Sequence, residues 1–150
     1  MMATSPTLGR DGGNPVPLTL TEADRLIAAT HQQATALDIK VTVVIVDEGG
    51  HVQAAGRMDG SFPLSFRIAE AKAVGAALWQ QDGNALKSIH ADRPGFFNAV
   101  DRLVPTGLVP GPGSVVLKRD GVVLGAVGVS GATGEQDLEC AEAGVRAVLG

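Results

Sequence analysis

The stretch from Val122 to Asp137 constrains the fold more than any other part of the chain. Val122 to Val127 is apolar and strand-like. It empties into Gly128-Val129-Ser130-Gly131-Ala132-Thr133-Gly134-Glu135-Gln136-Asp137, a small-residue turn that opens a helix. Thr133 is placed to cap that helix, and Gln136 three residues on completes a capping box. A strand that ends at a helix start leaves backbone N–H groups beside a positive helix end, where an anionic group can sit. The same residues serve equally as plain helix-starting chemistry. Ser130, Gly131 and Thr133 are the ligand candidates of this turn.

The 150 residues predict one domain with a sizeable core. Apolar residues make up 45% and aromatics only 3%, so Val, Ile, Leu and Ala must build that core. Twenty glycines imply tight turns and close contacts. The net charge of −4 and a pI near 5.2 argue against nucleic acid or an anionic membrane as the main partner. The single cysteine, Cys140, excludes an internal disulfide and fits a reducing compartment. No signal-peptide pattern is read, so a cytoplasmic location is expected. No run reaches the ~18 apolar residues that span a membrane.

Residues 1–17 are rich in Gly, Pro, Ser, Thr and Asn and are expected to be disordered, with the domain occupying 18–150. Leu20, Ala23, Ile27, Ala34 and Leu37 keep helical spacing, and Thr19 with Glu22 forms a second capping box. Val41 to Val46, a turn at Asp47-Glu48-Gly49-Gly50 and His51 to Met58 predict a hairpin. Its first strand is apolar on both faces, which suits a central position. Leu64 to Trp79 reads as a helix crowded with Ala and Gly, able to sit close to its neighbour. Short helices are expected near Asn84–Ile89 and Gly95–Leu103, followed by a Pro- and Gly-rich loop. Arg119-Asp120-Gly121 turns a second hairpin, from Ser114 to Val129. A last helix runs from Glu135 to Leu149. The order is α-ββ-α-(short α)-ββ-α, an α+β sandwich with antiparallel strand pairs.

Several residues carry candidate chemistry. His31 borders the buried stripe of the first helix; it is either an iron or metal ligand or a boundary histidine at a helix contact. His51 is expected at a solvated hairpin tip, and His90 lies beside Asp92 and Arg93. No two histidines have a local zinc spacing. Arg57, ending a strand next to Asp59, can clamp a carboxylate or pair with that acid. Lys72, flanked by alanines, either meets a cavity edge and becomes reactive or passes the small-residue face to solvent. Glu70 lies on the same helix. No serine-hydrolase elbow, phosphate loop or dinucleotide fingerprint occurs.

Four motifs in order resemble the GlcG/HbpS family, the haem-degrading or DUF336 domain that also forms the C-terminal part of PduO-type proteins. They are Val46-Asp47-Glu48-Gly49-Gly50-His51-Val52, Arg57-Met58-Asp59-Gly60, Ile68-Ala69-Glu70-Ala71-Lys72-Ala73 and Gly121 to Gly131 with Asp137. The resemblance covers about Leu18 to Leu149. It implies an antiparallel sheet of about five strands with helices on both faces, in a profilin-like or PAS-like arrangement, and homo-oligomers. It also implies haem binding in some members, with a first-helix histidine as iron ligand; His31 is the nearest match. Pro110-Gly111-Pro112-Gly113-Ser114 departs from the family's Gly-Gly-x-Pro stretch, and Lys72-Ala73-Val74-Gly75 from its usual helix motif.

Three functions compete at this stage. One is a haem- or small-ligand-binding homo-oligomer. Another is a cofactor-free enzyme, of lyase or isomerase type, on a small anion such as an oxoacid. There Arg57, Asp59, Ser130, Gly131 and Thr133 would form the binding site, and Lys72, Glu70 or His31 would move a proton. The third is a structural assembly subunit.

Overall fold

The computed structural model describes residues 16–150. Of the segment expected to be disordered, 1–15 lies outside the described residues. The elements follow in the order α1 (Leu20–Ala36), β1 (Thr42–Asp47), β2 (Val52–Arg57), α2 (Ser65–Trp79), α3 (Gly83–Asp92), α4 (Pro94–Asp101), β3 (Ser114–Arg119), β4 (Val122–Ser130) and α5 (Gly134–Leu149). Both predicted capping boxes form, Thr19 with Glu22 at α1 and Thr133 with Gln136 at α5.

The four strands make one antiparallel sheet in the order β2-β1-β4-β3. This corrects the expectation of about five strands. The segment between α4 and β3, with Pro105, Pro110 and Pro112, is the expected loop and contains no strand. Proline has no N–H to give to a ladder.

Alternation along β1 explains its apolar run. Val43 and Ile45 point into a layer formed by α1 and α5, where they meet Leu26, Ala34, Val127, Val129 and Ala141. Val44 and Val46 point the other way, against Ala69, Ala73 and Ala76 of α2. Helices therefore cover both faces, and the central strand has no wet side.

Small residues set how closely those layers approach. A Cβ added at Gly128 would collide with the Ala69 carbonyl oxygen and lie 2.7 Å from the Ala73 nitrogen. Helix α2 thus rests its backbone directly on β4. On the opposite face Gly144 of α5 does the same, leaving room only for Thr30 Oγ1 and the Leu26 carbonyl of α1.

Three of the five aromatics gather at the C-terminal end of α2. Trp79 stacks on Phe97 at 5.5 Å and meets Phe96 edge-on at 6.3 Å. Phe97 and Leu86 are the buried apolar anchors of the two short helices expected here, α4 and α3.

Arg119 of β3 reaches the start of α1, where it pairs with Glu22 and donates to the Val16 carbonyl at 2.8 Å. The Thr19 backbone N–H holds the Glu22 carboxyl below its usual value of 4.5, and Arg119 adds to that pull against the cost of burial. A depressed carboxylate pKa contributes stability above 4.5 that is lost as pH falls through the folded-state value. Denaturation midpoints measured from pH 6 down to pH 2 should therefore fall less steeply for Glu22→Gln than for the wild type. Gly128→Ala should cost about 1–3 kcal/mol in urea unfolding, since α2 must lift from β4.

Candidate functional site

Lys72 does not reach solvent. It is 7% exposed, and its Nζ donates to the Val129 carbonyl at 2.9 Å and to Asp137 Oδ2 at 3.1 Å. The reason lies in the ladder. Strand β3 begins at Ser114, opposite Gly128, and one residue earlier the Gly113 carbonyl takes the Val129 N–H at 2.8 Å. The pairing stops there, and the Lys72 ammonium supplies the donor that the Val129 carbonyl would otherwise lack. Gly113 makes the room: its φ is +120°, and a Cβ there would sit 2.7 Å from Nζ.

Asp137 closes the arrangement from α5. Its Oδ1 accepts from the Ala132 N–H at 3.0 Å. Burial pushes its carboxyl above the ordinary value, while Lys72 and the Ala132 N–H pull the other way. Asp137 thus occupies the turn that the sequence offered to an outside anion. Two more amides are taken by the cap: Thr133 N–H donates to Gln136 Oε1 and Gln136 N–H to Thr133 Oγ1, both at 3.2 Å. Thr133 is a helix cap. Gly131, with φ +149°, lets the turn pass over the Lys40 carbonyl.

Arg57, Thr42 and Ser130 stand in one row. Arg57 is the register partner of Thr42, and Thr42 is the partner of Ser130. Cross-strand partners share a face, so all three lie on the α2 side at one end of the sheet. With strands about 4.8 Å apart, Arg57 and Ser130 are separated by roughly 10 Å. Above the row a hydroxyl cluster forms that local patterning did not reveal. Thr42 Oγ1 and Ser65 Oγ are 2.7 Å apart, and Ser61 Oγ lies 2.9 Å from Ser65 Oγ. Arg57 and Asp59 are exposed, and neither joins an ion pair among the described residues.

His31 lies on the opposite face. Its ring rests on β2, with Nε2 3.0 Å from the Gly56 carbonyl oxygen. It also lines an open depression of about 390 Å³ with Arg25, Ala28, Gln32, Thr35 and Ala147, between α1 and α5. Glu70 leans toward Arg67 at 3.7 Å. Lys72 and Glu70 on α2 and His31 on α1 are therefore not brought together.

His51 is exposed and meets Asp47 at 3.1 Å. His90 lies edge-on to Phe97 at 5.1 Å. Among the described residues no group of three His, Cys, Asp or Glu side chains is placed to hold a metal ion. No described helix is long and apolar enough to cross a membrane. Burial pushes the Cys140 thiol up to about 11, which suits a packing role.

The model of the family described as haem degrading protein HbpS-like matches residues 18–146. Protein GlcG of Escherichia coli K12 is 36% identical over 109 residues, covering 72% of this chain and 77% of GlcG. The corrinoid adenosyltransferase PduO of Salmonella typhimurium LT2 is 28% identical over 134 residues, which is 89% of this chain. The chain spans only 40% of the length of PduO. The crystal structure of the PduOC:heme complex superposes with a TM-score of 0.80 at 28% identity, covering 89% of this chain and 96% of that one.

Truncating either member of the buried pair strands the other. Lys72→Ala should cost about 3–5 kcal/mol in urea unfolding, and Lys72→Met with Asp137→Leu should recover a large part of it.

Proposed function

The chain belongs to the HbpS-like family, and from that premise we propose that it is a haem-binding protein that works as a homo-oligomer in the cytoplasm. The observation that carries this reading is His31. It is a half-buried imidazole, held against β2, that opens onto a depression floored by small side chains. A relative of the same fold has been crystallised with haem.

The residues present fit the group. Ala28, Ala147 and Thr35 leave a shallow floor that a flat ring system can approach, and Arg25 at its margin offers a cation for a carboxylate. His31 would supply the imidazole to iron. Bound haem supplies a metal centre whose electronic properties depend on its axial ligand and on the hydrogen bonds around that ligand. The depression is open to one side. In this reading a second copy of the chain would supply the missing wall. Exposed Phe62, Leu64 and Leu78 on and beside α2 also favour assembly.

A second reading rests on the row of Arg57, Thr42 and Ser130, which favours binding of a small carboxylate on the α2 face. The catalytic half of that reading has less support. Lys72 is engaged by Asp137 and Val129, and Glu70 leans toward Arg67.

Absorbance titration of the purified protein with haem separates the two. The haem reading expects a sharp Soret band that His31→Ala abolishes or weakens by about 10–100-fold in affinity. A band unaffected by the substitution would move the ligand elsewhere. No band would leave the small acids, tested by the effect of Arg57→Ala on oxoacid binding in calorimetry.

A further inference from the structure

We infer that Gly56 is a positioning residue for His31: its carbonyl holds the imidazole as the Nε2–H tautomer, so the lone pair offered to a ligand is on Nδ1. This rests on the haem reading for its use, but the tautomer itself stands on geometry alone. A backbone carbonyl can only accept a hydrogen bond, so the 3.0 Å contact requires the proton on His31 Nε2. In the neutral ring the other nitrogen is then the acceptor. Nδ1 has no hydrogen-bond partner among the described residues, and the His31 ring borders the open depression.

The missing side chain at position 56 belongs to the same device. A Cβ there would lie 2.9 Å from His31 Cε1 and 3.0 Å from Ile27 Cγ2. Gly56 sits in regular pairing with Val43, and its backbone is open to any L residue. It is the His31 ring and Ile27, not the strand, that a side chain here would have to displace. Loss of a partner that fixes which nitrogen of a ligating histidine is free typically costs about 10–100-fold in metal affinity. Here that partner is main chain, supplied by an edge strand.

The test is long-range proton–nitrogen NMR on protein labelled with nitrogen-15 histidine, at a pH above imidazole titration, with His31 assigned from His31→Ala. The inference expects an Nε2–H pattern for His31 whose proton exchanges more slowly than that of exposed His51. Gly56→Ala should speed that exchange and mix the tautomers, and should weaken haem binding by about 10–100-fold. Adding haem as the diamagnetic ferrous carbonyl complex should leave the His31 Nε2 proton in place. An Nδ1–H pattern in the wild type would overturn the inference without needing a variant that folds. Loss of the Nε2 proton on haem binding would also overturn it. Should haem give no Soret band while the Nε2–H pattern and its sensitivity to Gly56→Ala hold, the haem reading fails and the positioning role of Gly56 survives.

Discussion

The ammonium of Lys72 sits where two pieces of backbone run out of partners beneath a helix. Strand β3 has ended, the turn after β4 has not yet become α5, and α2 crosses above. One side chain satisfies the orphaned Val129 carbonyl and neutralises Asp137, which in turn orders the turn through the Ala132 N–H. Helices on opposite faces of the sheet are thereby joined around its end. Such a pair is no guarantee of net stability, because both charges lose water. Its consequence is geometric: neither partner can leave without stranding a buried charge, so α2, β4 and α5 hold one mutual arrangement.

That arrangement depends on absent side chains as much as on present ones. Gly113 admits the ammonium, Gly128 admits α2, Gly144 admits α1 and Gly56 admits the His31 ring. Close approach makes a thin, tightly layered molecule from Val, Ala and Gly, and it explains how a chain with 3% aromatics builds a core. It also separates two chemistries. The α2 face collects hydroxyls, Arg57 and the buried pair, while the α1–α5 face carries His31 and an open depression.

Local features were legible in the residues. Capping boxes at Thr19 and Thr133 depend on contacts three residues apart, and the Asp120-Gly121 hairpin depends on two. Family resemblance through the Asp47, Arg57, Lys72 and Gly128 motifs is borne out by the match over 18–146. The element order read from the residues already held the four strands seen among the described residues; only the family resemblance implied about five. The destination of Lys72 was not legible. Helical spacing tells which way a lysine leaves its helix, but not that a strand 57 residues later ends beneath it.

The sequence by itself determined the elements, their caps and turns, and the two-sided burial of β1. Those follow from propensity, periodicity and short-range hydrogen bonding, which act between neighbours along the chain. Only the tertiary structure decided what the polar residues do. It turned the apparent anion loop inward onto Asp137, aligned Arg57 with Thr42 and Ser130, and set His31 against Gly56. Each of those outcomes depends on register between strands or on a helix landing over a particular glycine. Register is a relation between distant segments, and the energy that selects it exists only once the layers have packed.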